Sequence, residues 1–524
     1  MLKASIDLSD LSLDAQFRDG AIVMGASHIV PYAHPMLETL LVRTKGQWFV
    51  TVRERLASES PGGSTQTRDV DAEAFGRLYH ECVMWPLDYV LIEVAQAGRR
   101  MRVRAGVHGS APIYVRATED RVTLSWDVAD IVTGPQAIDV EVASHRLAMN
   151  TVYAARQLFV GVVLLTERAS FYIEPGNATY RYPASMDDTS PSPLPDGQDA
   201  LTMFGDHLHR AVSLRPVMAD RLSIELSGGM DSATVASAMA VFTGPMASKG
   251  ILLDGDVRAP QVQRRQWITN ALGLHDETVE IGAHLPDIDL RRQPGRARGL
   301  YWEYYLEACA ALWDSAQSQG HEALYSGIGG DELFPRYLHE MRQPINGSPD
   351  TIDETRRYAE QLLTPSALGA ARSLRSFDAP AGPVPETALL AHACRAPELL
   401  RRGLWPVNPL SDPGLVAFCH RLPRDSRDSR EVMRQYLNAR LGSDVFPTGY
   451  IKETFAQVLP ELLSREAPTI ASQLHDCALA DLQLIDQNAV LRLLDTVAAT
   501  RAQAPTAALV SFLWMERCVR HVVR

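Results

Sequence analysis

Two rhythms of apolar and polar positions divide the chain. Up to about residue 180, short runs alternate with period two, as in LLVRTKGQWFVTV (40–52), VLIEVAQAGRRMRVRAGV (90–107) and IYVRATEDRVTLSW (113–126). Such alternation predicts strands with one face buried, and Thr118-Glu119-Asp120 predicts a hairpin turn inside the third run. After about residue 200 the pattern changes. ALTMFGDHLHRAVSLRPVM reads as an amphipathic helix, RLSIEL as a buried strand and SATVASAMAVF as a helix. KGILLDG (249–255) and HEALYSG (321–327) read as further strands, with a helix at RRQWITNALGL. Strands alternating with helices predict a parallel sheet covered on both faces. From about residue 335 onward the pattern is mainly helical.

Between the two regimes lies YPASMDDTSPSPLPDGQD (182–199), whose Pro, Ser and Asp content cannot bury a core and predicts a linker. The expected organisation is a β-rich domain over 1–185, a linker over 186–200 and an α/β domain with a helical C-terminal half over 201–524.

Charge and cysteine usage narrow the classes. The formal net charge is −12, which argues against a nucleic-acid binder. The six cysteines form no CxxC pair, so neither a zinc site nor a disulfide framework is expected, and a cytoplasmic setting fits. MLKASIDLSD lacks the apolar core of a signal peptide, and no run is long enough for a membrane-spanning helix.

The candidate chemistry begins at Leu226-Ser227-Gly228-Gly229-Met230-Asp231-Ser232, where a strand turns into a helix. Free N–H groups at a helix start, with the helix dipole behind them, make an anion cradle. Gly228 and Gly229 let the backbone close around phosphate oxygens, and Ser227 and Ser232 add hydroxyls. Asp231 would repel phosphate unless a divalent cation lies between them, and Mg²⁺ takes one or two carboxylates plus phosphate oxygens. This is not the Walker pattern, because no lysine follows. A turn with an Asp N-cap would be the structural alternative. A second junction, LYSGIGGDELF (324–334), places Asp331 and Glu332 at the carboxyl end of another strand, where open α/β sheets bind ligands. Asp231 and Asp331 are therefore expected to share the metal.

These two segments resemble a known family. SGGMDS is similar to the SGGxDS pyrophosphate-binding loop of the PP-loop ATP pyrophosphatases, and SGIGGDELF to the SGxGxDE segment of their asparagine synthetase branch. AGVHGSAPIYVRATEDRVTLSWDVADI, RASFYIEPGNATYRYP, VNPLSDPGLVAFCHRLP and YIKETF (450–455) resemble further stretches of that branch. The resemblance implies a degenerate Ntn-hydrolase-like (glutaminase-like) N-terminal domain before a PP-loop synthetase domain of the adenine nucleotide alpha hydrolase-like fold. It implies ATP and Mg²⁺ as cofactors, adenylation of a carboxylate, release of pyrophosphate and acyl transfer to an amine. By the same resemblance Gly327 would lie near the nucleotide, and Leu252 and Leu253 would wall the adenine. Lys452 would stabilise the acyl-transfer transition state, and Arg430 and Arg434 would be structural or steer substrate.

Two residues depart from the family. Leu2 stands where asparagine synthetases carry a catalytic cysteine, so no terminal thiolate makes ammonia in this sequence. Ile328 stands where asparagine synthetases have an acid and β-lactam synthetases a tyrosine, which leaves the general base open between Glu332, Glu453 and other groups. Both departures are shared by lasso-peptide cyclases, which adenylate an Asp or Glu side chain of a precursor peptide and close a macrolactam with the peptide's own N-terminal amine. The resemblance implies a core-peptide substrate, with a leader peptidase and a leader-recognition protein as partners. The alternatives are a β-lactam synthetase-like small-molecule amide synthetase, an ammonia-dependent asparagine synthetase and a catalytically dead scaffold. Three other features take plainer readings: the histidines of DHLHR (206–210) as no metal pair, LYWEYYLEA (300–308) as a buried helix, and RRQPGRARG (291–299) as a solvated loop.

Overall fold

The computed structural model describes the chain except residues 58–64, 151–152, 187–193, 196, 217, 292–298, 302, 304, 336–348, 374–376, 443–444, 448, 451–457 and 524. The N-terminal part builds two seven-stranded sheets that are antiparallel but for one parallel edge pair. In one sheet Leu2–Asp7 is central, flanked by Arg121–Ser125 and Ser27–Pro31. In the other, Gln47–Glu54 lies between Leu37–Thr44 and Tyr89–Ala95. The expected hairpin is present, Tyr114–Ala117 pairing with Arg121–Ser125, and Leu37–Thr44 likewise returns as Gln47–Glu54 through Lys45-Gly46, with Gly46 at φ +77°. Alternate residues of both sheets, such as Ile6 and Ile29 from one and Val50 and Ile92 from the other, enter a common core. The second sheet ends at Arg181, and the next helix starts at Ala200, where Asp199 caps it by accepting from the Leu201 and Thr202 amides.

Beyond that helix a five-stranded parallel sheet runs in the order His275–Glu280, Ala247–Leu252, Leu222–Glu225, Ala323–Tyr325, Trp405–Val407. The chain moves outward one way from Leu222–Glu225 and then returns to its other side. The order therefore reverses between Leu222–Glu225 and Ala323–Tyr325, and the crevice beyond their carboxyl ends is the switch point of the sheet. Helices cover both faces. Met230–Thr243 packs with Ala200–Ser213, Arg258–Leu272 and Glu431–Leu441 around Ile224 and Leu226. Leu306–Ser318 and Glu386–Arg401 pack the opposite face through Trp313, Ala316 and Leu399, against Ile251, Leu253 and Leu324. Period-two burial divides the Ala323–Tyr325 strand between the two cores, Leu324 to one and Tyr325 to the other.

Two of the five strands escape the sequence pattern. His275–Glu280 is an exposed, polar edge strand, HDETVE, with no apolar run to mark it. Trp405–Val407 is only three residues with Pro406 in the middle, a composition tolerated at a sheet edge. A third core gathers the C-terminal helices Val458–Gln473, Gln487–Thr500 and Gln503–Val523 against Val140–Leu147 of the N-terminal half. Among the described residues no helix is long and apolar enough to cross a membrane.

The β-rich half is joined to the α/β half by buried polar contacts. Glu54, fully buried, accepts from Arg215 at 2.6 and 2.7 Å and from the Trp405 indole at 2.7 Å. Burial raises the carboxyl's pKa, but Arg215, with His108 and the Asp88 amide, more than offsets it and leaves it below the usual range. Buried Asp127 pairs with Arg401, and the Tyr32 hydroxyl donates to the Leu400 carbonyl.

Candidate active site

At the switch point the two glycine-aspartate loops lie against each other. Ser227 to Ser232 close on themselves: the Ser227 amide donates to Ser232 Oγ at 3.1 Å, and the Gly229 amide donates to Ser227 Oγ at 3.1 Å. Gly229 is the N-cap of Met230–Thr243 and brings no side-chain cap, so the first turn of a fourteen-residue helix opens toward the crevice. Asp231 sits inside that first turn, so the Asp N-cap alternative does not hold. Gln261, nearly fully buried, staples the loop to the next strand: its Nε2 donates to the Ser227 and Ile251 carbonyls and its Oε1 accepts from the Leu253 amide.

The second loop needs its glycines for close approach. A Cβ on Gly327 would stand 2.7 Å from the Ser232 amide nitrogen, and one on Gly330 would stand 2.4 Å from the Asp231 carboxyl. Only a bare backbone lets the Ser326–Asp331 loop lie on the first turn of the helix. That contact brings Asp231 and Asp331 to one place. Arg430 bridges them, donating from Nη1 to Asp231 Oδ1 at 2.7 Å and from Nη2 to Asp331 Oδ1. Burial works against the guanidinium charge, but the two carboxylates more than offset it and raise its pKa. Ser429 and Arg430 are both left-handed, at φ 54° and 57°, an uncommon pair for non-glycine residues that delivers the side chain to the carboxylates. Arg434 is turned away onto Glu431 and the Ser429 carbonyl.

The crevice between the loops is a pocket of about 370 Å³. Of the residues expected from the sequence, Leu226, Ser227, Gly229, Asp231, Ser232, Gly327, Asp331 and Glu332 line it. Two others are placed differently. Gly228 lies behind the lining, with φ +94° and its carbonyl accepting from Arg264 Nε. Leu253 lines the pocket as expected, but Leu252 is buried off it, because strand alternation turns its neighbours Ile251 and Leu253 to the lining. Lys452, and Glu453 beside it, lie outside the described residues. Ile328 is in the wall, its carbonyl accepting from Ser411 Oγ at 3.1 Å. Glu332 accepts a hydrogen bond from the Thr387 hydroxyl.

The pocket floor was not read from the sequence. Glu225 accepts from the Trp313 indole at 2.7 Å and from the buried Arg395. Glu303 reaches the pocket from LYWEYYLEA, which is not one helix: the helix begins at Leu306, leaving Glu303 in irregular chain. A lone carboxylate among aromatics was the signal available. Arg395 carried none, being one of two arginines on a long helix.

Among the described residues no three metal-binding side chains cluster. The pair Asp231 and Asp331 already holds one positive charge between two loops, and two carboxylates with phosphate oxygens are a donor set that suits Mg²⁺. No described cysteine is poised as a nucleophile. All six are buried, and burial pushes the thiols of Cys82 and Cys477 up to about 11 and 12.

No curated protein matches the chain. Residues 203–388, which carry both loops, match the family model for asparagine synthase, a family whose members are ATP-dependent carbon–nitrogen ligases.

Proposed function

We propose that the protein is an ATP-dependent, AMP-forming amide ligase that adenylates an Asp or Glu side chain of a precursor peptide and closes a macrolactam with the peptide's own N-terminal amine, as lasso-peptide cyclases do. The convergence of the two glycine-aspartate loops at the switch point carries the adenylation. The open first turn of Met230–Thr243 would receive the β- and γ-phosphates, with Ser227 and Ser232 fixing the loop's shape. Asp231 and Asp331 would hold Mg²⁺, which neutralises charge on the departing pyrophosphate. Arg430 would then turn from the carboxylates to the phosphates, and Lys452 would face the developing negative charge. Ile328 in the wall and the six buried thiols support a reaction whose amine arrives with the substrate. A peptide that carries both groups holds them at high effective concentration. The 1–185 segment is then a retained glutaminase-like scaffold, and a leader peptidase and a leader-recognition protein would supply the peptide.

Mass spectrometry tests this reading. The chain is incubated with Mg-ATP and a leaderless core peptide while AMP and pyrophosphate are followed. ATP-dependent loss of one water from the peptide, abolished by Asp231→Ala and Asp331→Ala, is the expected result. Unchanged peptide together with AMP formed from aspartate and ammonia would instead make the protein a small-molecule synthetase. AMP formation with neither substrate set overturns the adenylation itself.

A further inference from the structure

Behind the nucleotide-side pocket lies a second chamber of about 360 Å³. The two share Glu303 and Ala391, so an acidic residue stands at the seam. The chamber is walled largely by apolar side chains, among them Met149, Leu300, Leu390, Val510, Trp514 and Met515. Among the described residues that line it the one cation is Arg146, which is already engaged, donating to the Leu300 carbonyl at 3.2 Å and to Gln157 Oε1 at 3.1 Å while lying over the Tyr301 ring.

Glu303 is the group left unsatisfied. Its Oε2 is shut off from solvent and has no hydrogen-bond partner among the described residues. Tyr305 hydrogen-bonds the carboxyl group, and the nearby Arg395 is held by Glu225. Burial pushes the Glu303 carboxyl up, against the opposing pull of Arg395 and Tyr305, and Glu225 adds to the rise. A buried carboxylate with an open lone pair is costly unless something donates to it. The donor that fits an apolar chamber opening on an acyl-transfer site is an amine with an apolar body.

We propose that this chamber is the acceptor pocket of the ligase, that it takes a primary amine with an apolar body, and that Glu303 accepts the proton the nitrogen loses as it attacks. The inference rests on the adenylation reading. The neutral amine's lone pair forms the C–N bond to the acyl carbon of the adenylate. The C–O bond to the phosphate breaks, and AMP leaves with that electron pair. One N–H proton passes to Glu303, which returns it to solvent once the amide departs. On the peptide-cyclase reading, the amine is the peptide's first residue.

Binding of 3-phenylpropylamine to the full chain, followed by Trp514 fluorescence, tests the chamber, with 3-phenylpropanol as the neutral comparison. Saturable binding is expected, with the amine preferred at least tenfold. Glu303→Gln should erase that preference, and Ala507→Trp, which fills the chamber, should abolish both. Absence of saturable binding, or binding indifferent to Ala507→Trp, overturns the chamber. Binding whose amine preference survives Glu303→Gln overturns the role of Glu303. In turnover, Glu303→Gln should lower amide formation at least a hundredfold, tenfold or more beyond any fall in ATP–pyrophosphate exchange, with hydroxylamine restoring acyl transfer. Undiminished amide formation in that variant overturns the proton acceptor alone. Wild-type protein without pyrophosphate exchange overturns the adenylation reading and this inference with it.

Discussion

Arg430 Nη1 lies 2.7 Å from Asp231 Oδ1, and its other terminal nitrogen grips Asp331, so an arginine holds the two carboxylates proposed to take Mg²⁺. A guanidinium and a divalent cation compete for the same oxygens. Arg430→Ala should therefore let Mn²⁺ bind without nucleotide about tenfold more tightly than in the wild type, a difference of roughly 1.4 kcal/mol. The same variant should turn over ATP more slowly, having lost a cation for the phosphates. Calorimetric Mn²⁺ titration decides it. Unchanged affinity would mean that Arg430 leaves the carboxylates at no cost.

Gly327 is the hinge of the loop contact. Its missing Cβ is what lets the 326–331 loop lie on the Ser232 amide, and the clash in a substituted chain is with backbone, which cannot rotate away. Gly327→Ala should part the two loops and weaken ATP binding at least tenfold. Overpacking of this kind costs about 1–3 kcal/mol, so the fold should survive. Equilibrium binding of a fluorescent ATP analogue, with a melting curve alongside, separates the two effects.

Much of this was legible in the residues, and the reasons differ by element. Both glycine-aspartate loops announce themselves because their chemistry is local: strand, free backbone and a carboxylate within seven positions. The buried central strands do so because apolar runs mark them. His275–Glu280 does not, because an edge strand can be polar throughout. Leu252 was misplaced because a run of three apolar residues, Ile251 to Leu253, leaves the pleat's phase open until the sheet sets it. Glu225, Gln261, Glu303 and Arg395 were missed because their meaning is tertiary. Each becomes a site residue only when the strands and helices around the crevice come together.

The joint between the halves should behave as one unit. Glu54 accepts four hydrogen bonds, from Arg215 twice, Trp405 and the Asp88 amide, with no exposure to water. Glu54→Ala leaves Arg215 buried and uncompensated, which typically costs about 3–5 kcal/mol. Denaturant unfolding should show the loss as a lower midpoint of a single transition seen by both far-ultraviolet ellipticity and tryptophan fluorescence. Two separate transitions would mean that the halves fold independently.

Stability should fall in mild acid, and His392 is a principal cause. It lies fully buried on the Glu386–Arg401 helix. Burial drives its pKa from 6.5 down to about 4, with His108 and Arg395 adding to the fall and the Gly109 and His108 carbonyls opposing it. In the unfolded chain the imidazole takes up a proton as pH falls through 6.5, whereas the folded chain refuses it until about 4. The unfolded state therefore binds more protons across that window, and the stability this residue contributes is whole above the window and is lost as pH falls through it. A shift of this size corresponds to roughly 3 kcal/mol. His392→Gln cannot titrate, so its unfolding free energy should be flatter between pH 6.5 and 4 than that of the wild type. Glu167, whose carboxyl burial raises to about 7, acts in the opposite sense, losing stability as pH rises, and it is common to both proteins. Urea unfolding at half-unit pH steps gives the difference directly, and parallel curves for the two proteins would show that His392 takes its proton in the folded state as readily as in the unfolded one.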